Sequence, residues 1–535
     1  MHLPAFSSLL AWVGAIPEAT APDEAVKNVA IIGAGAAGAS AAYHLQRFAA
    51  EEDVAVNITI FEKTDRIGGR TLTVNALDNP AEPIELGASI FVTVNHILLN
   101  ATRDFDLPLS TRSEGTPGDL TAIWDGERLV YQSTEGSSWW WDAAKLFWRY
   151  GTSPYRAVKL VNGVVGKFLK MYEEPWFPFR SLTQRVFELE LEKITGVTGE
   201  QFLQQNQINH DFSREIIQAA TRVNYASNLA YIHGVETMVS FATDGAVSVA
   251  GGNWKIFDSM VEHSGAALYR NATVSSIALD AKKTKTGAPR YRVSTKNTAN
   301  LTALAEGYPV SFDKIIVASP WQFSNITAGE DVIRATIEEI PYMKLHVTLF
   351  SSPYKLRPGF FGLEDGAKAP SNVYTTLGAD EEPRMGAAGV GRTGFYSIST
   401  LRRVVNPKTE KREYVYKIFS PEPVTASFLS DVLGVNVPEG FTTGSSSSPI
   451  SWYRPAWFHS YPVELPRVTF QDPVVGDGVY YTSGMEGFIS TMETSALMGM
   501  NVARLIADDV AGVERTAEGR RVEKEDKEAA TGDEL

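Results

Sequence analysis

The run Val29-Ala-Ile-Ile32-Gly33-Ala-Gly35-Ala-Ala-Gly38 constrains this chain more than any other stretch. A short buried-strand pattern passes straight into G-x-G-x-x-G and then into the alanine-rich, helix-compatible segment Ala36 to Phe48. A second strand pattern follows from Val56 to Phe61. This is the opening βαβ unit of an α/β, Rossmann-type dinucleotide-binding domain. Gly33 allows the tight turn, Gly35 lets the backbone approach a pyrophosphate, and Gly38 lets helix and strand pack closely. The helix N-terminus then faces the anion. Glu62 ends the second strand, where a carboxylate can accept hydrogen bonds from ribose hydroxyls.

Directly afterwards comes Arg66-Ile-Gly68-Gly69-Arg70-Thr-Leu-Thr73. It resembles R-x-G-G-R-x-x-[ST], the second dinucleotide signature of amine-oxidase-like flavoproteins. That resemblance implies FAD, held without a covalent bond to cysteine because the chain has none. Gly68 and Gly69 permit close backbone approach, and Arg70 can offer charge-assisted donors to the pyrophosphate. Glu85-Leu-Gly87-Ala88 is similar to the next motif of that group, a loop passing the flavin ring. At the far end, Gly484-Met-Glu486 leads into Ser490-Thr-Met-Glu493 and a helix expected from about Ser490 to Asp508. Backbone N–H groups at its start are expected to meet the pyrophosphate or the flavin N1–O2 edge.

Thr221-Arg222-Val223-Asn224-Tyr225, Val249-Ala250-Gly251-Gly252-Asn253, Asp313 to Pro320, and Glu486-x3-Ser490-x2-Glu493 with Asn501 narrow the resemblance further. Together they resemble the run of motifs in prenylcysteine oxidases, also called prenylcysteine lyases, over residues 28 to 510. Two departures stand out: Ala250 in place of an acidic residue, and Leu363 to Glu410, which matches nothing in that pattern. The resemblance implies a two-domain, amine-oxidase-like fold with a Rossmann-type FAD-binding domain interleaved with an α+β substrate domain. It also implies oxidation of a prenylcysteine thioether to cysteine and a prenyl aldehyde, with O2 reduced to hydrogen peroxide. The attacked carbon is allylic and next to sulfur, so little acid–base help is needed. An apolar tunnel is expected, and no Ser-His-Asp or paired-carboxylate constellation is visible in the sequence. Arg222, Asn224 and Tyr225 are candidates for the amino-acid end of the substrate. Trp140, within Trp139-Trp-Trp141, is a candidate tunnel residue, although core packing is the commoner role of such aromatics.

An alternative is a tailoring FAD oxidase acting on an amine, another thioether or a lipophilic metabolite intermediate; a flavin-binding carrier without turnover would keep the same motifs. Pro320 to Thr327 contains no lysine where amine oxidases often carry one, which disfavours amine oxidation.

Composition removes other classes. With 49 Lys and Arg against 63 Asp and Glu in 535 residues, the net charge of −14 argues against a nucleic-acid partner. None of the eight histidines stands at a metal-ligand spacing, so no metal is expected. No apolar run is long enough for a membrane-spanning helix. A helix pattern with Val158, Val161, Val165, Phe168 and Tyr172 on one side and Arg156, Lys159, Lys167 and Lys170 on the other suits either peripheral membrane contact or a solvated face.

Residues 1–21 resemble a signal peptide, with an apolar stretch from Phe6 to Ile16 ahead of Ala19-x-Ala21. Five glycosylation sequons, at Asn57, Asn100, Asn271, Asn300 and Asn325, point the same way. The expected location is the secretory pathway: ER lumen, vacuole or lysosome, or outside the cell. Gly532-Asp-Glu-Leu535 resembles a retrieval signal without its usual Lys or His. The expected FAD-binding domain comprises residues 28–118, 236–345 and 471–511. The substrate domain comprises 119–235, mainly helical, and 346–470; a disordered charged tail follows over 512–535.

Overall fold

The computed structural model describes residues 26–111, 120–133, 139–242, 245–281, 287–298, 311–364, 366–441, 443, 448–515 and 521–523. The strand Val26–Ile32 pairs in parallel with Ala55–Phe61 on one side and Lys314–Val317 on the other, so that Ile31 lies level with Ile60 and Ile316. Ala267–Tyr269 extends this sheet beyond Ala55–Phe61, and Val479–Tyr481 extends it beyond Lys314–Val317. An antiparallel edge strand, Val474–Gly476, completes six. Val29, Ala30 and Ile31 are fully buried because both faces of the sheet are covered, which is why they read as an unbroken apolar run.

One face carries the helix Ala36–Glu51 packed on the C-terminal helix Met492–Ala511. The helices approach so closely that a side chain on Gly499 would run into the Ala37 carbonyl, and Ser40 donates a 2.6 Å hydrogen bond to the Ala496 carbonyl. The other face is covered by a three-stranded sheet, Tyr291–Asn297, Ala272–Leu279 and Thr327–Ala328.

The second half is a seven-stranded sheet in the order Trp452–Pro462, Tyr342–Ser352, Arg412–Ser420, Ser397–Val405, Asn372–Thr375, Thr121–Trp124, Leu129–Gln132. Its pairings are antiparallel except Asn372–Thr375 with Thr121–Trp124. Among the helices from Trp139–Tyr150 to Gly234–Phe241, Gln218–Tyr225 packs on this sheet through Ala219, whereas Ala157, Val164, Phe168, Leu203 and Met238 are buried in the same core as Ala36–Glu51 and Met492–Ala511.

The segment 119–235 carries, besides its helices, the strands Thr121–Trp124 and Leu129–Gln132, which close the edge of the large sheet. Other expectations change. Leu363 to Glu410 supplies two of that sheet's interior strands, Asn372–Thr375 and Ser397–Val405. The last helix starts at Met492 rather than Ser490, since Thr491 and Thr494 exchange side chain-to-backbone hydrogen bonds as a capping box. After Gly512, Val513–Arg515 pairs with Arg521–Glu523, and Arg515 bonds Asp508 at 3.0 Å and Glu174 at 3.1 Å. That part of the expected disordered tail is therefore ordered. On the helix Ser153–Leu169 the buried residues are Ser153, Ala157, Val164 and Phe168, and Val158 is exposed.

Candidate cofactor and substrate site

Helix Ala36–Glu51 begins at Gly35 with no side-chain cap and no acid in its first turn. The leading amides of a helix need partners, and a start with no side-chain cap leaves them for an anion. Gly33, at φ +107°, leaves room for the Ala318 carbonyl, which a Cβ would approach to 2.8 Å; a Cβ on Gly38 would run into the Gly33 carbonyl. Gly35 differs, because a Cβ there would meet nothing nearer than Gly69 Cα at 3.8 Å. Gly69, at φ +59°, faces it in turn. The two glycine loops thus form an open floor beside the bare helix start, a cradle that fits a pyrophosphate. Gly68 N–H ties them together through a 2.9 Å bond to the Ala34 carbonyl.

Glu62 lies behind this floor. Its carboxylate accepts from the Ala34 amide and from both the amide and hydroxyl of Thr64, each at 2.8 Å. Before any ribose arrives it already orders both loops. Arg70 crosses to the other half of the molecule by donating to the Ser460 carbonyl at 2.8 Å, and within its own half it donates to Glu486 at 2.7 Å. The expected pyrophosphate donor is thus first of all a staple between the halves, its two outer nitrogens each holding a protein oxygen. Glu486 also accepts from Tyr342 at 3.2 Å, and burial together with this carboxylate keeps the Tyr342 hydroxyl protonated.

The loop carrying Gly87 and Ala88 is held from three sides. A side chain on Gly87 would strike the Arg70 carbonyl, which accepts from Ala88 N–H at 3.2 Å. Asn253 donates its amide to Glu85 at 2.7 Å and its side chain to the Ala88 carbonyl at 3.3 Å. Gly251 and Gly252, at φ +84° and +125°, make the turn that aims it. Lys417 reaches in from the large sheet to the Glu85 carbonyl at 2.9 Å and Ser89 Oγ at 2.8 Å. Burial pushes the Glu85 carboxyl up to about 7. Neither Lys417 nor Tyr342 is flagged by any sequence motif. At Ala250, where an acid was expected, only the backbone acts: its carbonyl accepts from Lys255 at 2.9 Å.

At the C-terminal motif, Gly484 is packed against Gln471, whose carbonyl a Cβ there would approach to 2.5 Å. The Ser490 amide, expected to face the cofactor, donates instead to Glu236 Oε1 at 3.1 Å. The capping box occupies the Thr491 and Thr494 amides, so Met492 and Glu493 supply the open amides of this helix start. The Glu493 carboxylate caps a different helix, accepting from Ile97 and Leu98 amides at 2.9 and 3.0 Å and from Tyr172 at 2.8 Å.

The residues expected at the substrate's amino-acid end all have partners within the protein. Arg222 is wholly buried and donates to Thr375, Thr393 and Asn228 side chains and to the Gly389 and Val390 carbonyls, at 2.8–3.2 Å. Burial pulls it down to about 10. It anchors the otherwise unmatched 363–410 segment, and its fork has no direction left for a substrate carboxylate. Asn224 donates to the Ser240 carbonyl at 2.9 Å, and the Tyr225 ring packs edge-on to Tyr461 at 5.3 Å with its hydroxyl beside Glu236. Trp140 falls in the first turn of Trp139–Tyr150, and its side chain lies outside the described residues. Among the described residues no cluster of three or more metal-ligating side chains could hold a metal ion.

The family model for prenylcysteine lyase matches residues 133–518, and that for an NAD(P)-binding Rossmann-like domain matches 31–103. Farnesylcysteine lyase of Arabidopsis thaliana is 27% identical over 499 residues, covering 90% of this chain and 89% of that protein. Prenylcysteine oxidase 1 of Homo sapiens is 27% identical over 502 residues, covering 89% and 88%. Among solved structures, a redesigned putrescine oxidase superposes with a TM-score of 0.51 at 14% identity, covering 91% of this chain and 99% of its own. Cyclohexylamine oxidase from Brevibacterium oxydans gives 0.51 at 14%, covering 90% and 99%. These two share the fold.

Proposed function

The chain belongs to the prenylcysteine lyase family, and on that premise we propose that it is an FAD-dependent thioether oxidase cleaving prenylcysteine to cysteine and a prenyl aldehyde, with O2 reduced to hydrogen peroxide. The observation that carries this is the family match over 133–518, which takes in the helical segment and five of the seven strands of the large sheet. FAD fits the residues present. The bare start of Ala36–Glu51 and the Gly35–Gly69 floor would take its pyrophosphate, Glu62 its ribose, and the Met492 and Glu493 amides an acceptor edge of its ring.

Bound FAD supplies a two-electron acceptor for the hydride leaving the carbon next to sulfur. What the chain does is hold and exclude. Lys417, Asn253 and Arg70 fix the Glu85–Ser89 loop, and the Arg70–Glu486–Tyr342 chain ties the two halves together. Water adds to the sulfur-stabilised cation and loses a proton. The C–S bond of the hemithioacetal then breaks and sulfur takes a proton, giving cysteine and aldehyde. The test is peroxide release from the FAD-loaded protein with farnesylcysteine, beside benzylamine and other thioethers. Stoichiometric cysteine and farnesal are expected; turnover of the amine or other thioethers alone would refute the assignment.

The same proposal extends to surroundings. Phe147, Trp148, Tyr155 and Val158 are exposed on consecutive helices, Trp148 to 92%. Residues 145–170 carry Lys145, Arg149, Arg156, Lys159, Lys167 and Lys170 and no acid, within a chain of net charge −14. That combination suits an anionic bilayer surface from which a lipophilic substrate is drawn. Co-sedimentation with phosphatidylserine vesicles, lost in Trp148→Ser/Tyr155→Ser, is expected; equal sedimentation of both proteins would refute it. A luminal location is supported by exposure of Asn57, Asn100, Asn271 and Asn325; Asn300 and residues 1–25 lie outside the described residues, as does the terminal Gly532–Leu535. Endoglycosidase should increase the mobility of protein from a eukaryotic host, and unchanged mobility would count against it.

A further inference from the structure

In the large sheet Asn372, Ser399 and Lys417 stand level on three neighbouring strands, and Tyr374, Ser397 and Phe419 form the next row. Residues paired across strands point to the same face, so these six share one. The residues between them, Val373, Ile398 and Ile418, fill the opposite face and join one apolar core there. Lys417 shows where the first face looks, because its ammonium reaches the Glu85 carbonyl and Ser89 Oγ. At one end of the second row, Tyr374 packs with Ile123 and with Ala219 of the helix Gln218–Tyr225. At the other end, Phe419 packs with Val347 and Leu86.

Ser397 lies between these two clusters, and Ser399 lies beside Lys417. They are 4% and 7% exposed, and buried hydroxyls are as a rule hydrogen-bonded. Among the described residues neither hydroxyl has a partner, and neither do the Asn372 side-chain amide and the Tyr374 hydroxyl. Nor are the serine hydroxyls sealed in, unlike that of the preceding Tyr396. Of the residues paired with these four across the sheet, Lys417 is the one that carries a charge. Its bonds go to the Glu85–Ser89 loop, so it acts on a ligand here through that charge. Glu85 offsets it poorly, since burial pushes its carboxyl up to about 7. Hydroxyls and an amide beside a cation, between two apolar clusters, suit a compact ionic group attached to an apolar chain. An S-prenyl cysteine is such a molecule.

We propose that Ser399 and Asn372 bind the α-carboxylate of the substrate beside Lys417, and that Ser397 and Tyr374 accept its α-ammonium. The proposal rests on the thioether-oxidase reading and names where that substrate's amino-acid end is held. Arg222 and Asn224, the candidates from sequence, have their donors taken by the protein. The serines and Asn372 have theirs free, on a face that Lys417 ties to the cofactor half.

The test compares farnesylcysteine with its methyl ester as substrates of the FAD-loaded protein, reading kcat and KM from peroxide release. In the unmodified protein the ester, which brings no charge to Lys417, should show a KM about tenfold higher. Ser399→Ala should raise KM for the acid about tenfold and leave KM for the ester and both kcat values within about twofold, so that the two substrates converge. A purely structural Ser399 would shift acid and ester alike or neither. Equal KM for acid and ester in the parent, or a variant that keeps the parent's preference, would overturn the proposal. Should Ser399→Ala fail to fold, Asn372→Ala makes the same comparison. An FAD-loaded protein that oxidises neither substrate would instead overturn the thioether-oxidase reading.

Discussion

Gly35→Val separates the cofactor site from the fold that carries it. Gly35 sits at φ −78° and ψ −168°, extended backbone that valine adopts without strain. A new Cβ would lie 3.8 Å from Gly69 Cα and near nothing else, so the apoprotein should lose less than about 1 kcal/mol. The two added methyls project over the floor between the glycine loops and bar an anion from the helix-start amides. Charge-assisted hydrogen bonds contribute about 1.5–3 kcal/mol each, so losing two weakens FAD by about 3–6 kcal/mol, or roughly 10²- to 10⁴-fold. Gly38→Val is the contrasting variant, because its side chain would strike the Gly33 carbonyl and disrupt strand–helix packing. The assay is FAD titration of deflavinated protein by fluorescence quenching, with urea unfolding of each apoprotein. Gly35→Val that still binds FAD stoichiometrically, or whose apoprotein unfolds as readily as Gly38→Val, would refute this account of the floor.

Other consequences follow from single contacts. Arg222→Ala should cost about 2–4 kcal/mol in urea unfolding, because it leaves a cavity and unpaired buried acceptors. In the folded fraction KM for prenylcysteine should stay within about twofold; a stable variant with a strongly raised KM would return Arg222 to the substrate site. Lys417→Met removes the cation holding the Glu85 and Ser89 oxygens and should weaken FAD about tenfold with a shift in its visible spectrum. An unchanged spectrum and affinity would show that the loop holds itself. FAD at about 100 times its dissociation constant should add about 2.7 kcal/mol to stability, read as a shift of the unfolding midpoint. No shift would mean that FAD does not distinguish the folded chain from the unfolded one.

What the sequence disclosed and what it hid divide along a physical line. Gly33, Gly35, Gly38, Gly68 and Gly69 are legible because a missing side chain at fixed spacing marks a positive φ or a close backbone approach, even where the approaching group, such as the Ala318 carbonyl at Gly33, comes from a distant segment. Arg222, Lys417 and Glu236 are not, since their partners at Thr375, Glu85 and Ser490 arrive from distant segments. Arg222 even misleads, because an arginine in a motif reads the same whether its fork meets a ligand or a neighbouring loop. Ser490 misleads more gently: the helix start was located to within two residues, but which amides the cap leaves open depends on Thr494 and Glu236.

The staples also explain why substrate and cofactor sites cannot vary independently. Arg70 stands in the opening dinucleotide motif, yet its partners are a carbonyl on the outermost strand of the large sheet and a glutamate in the C-terminal motif. Lys417 lies on an interior strand of that sheet and holds the loop from Glu85 to Ser89 in the cofactor half. A change that repacks the large sheet for another substrate must therefore keep the Ser460 carbonyl and the Lys417 ammonium in place, or the cofactor loops lose their supports. Freedom to change lies instead in side chains that hold nothing across the seam.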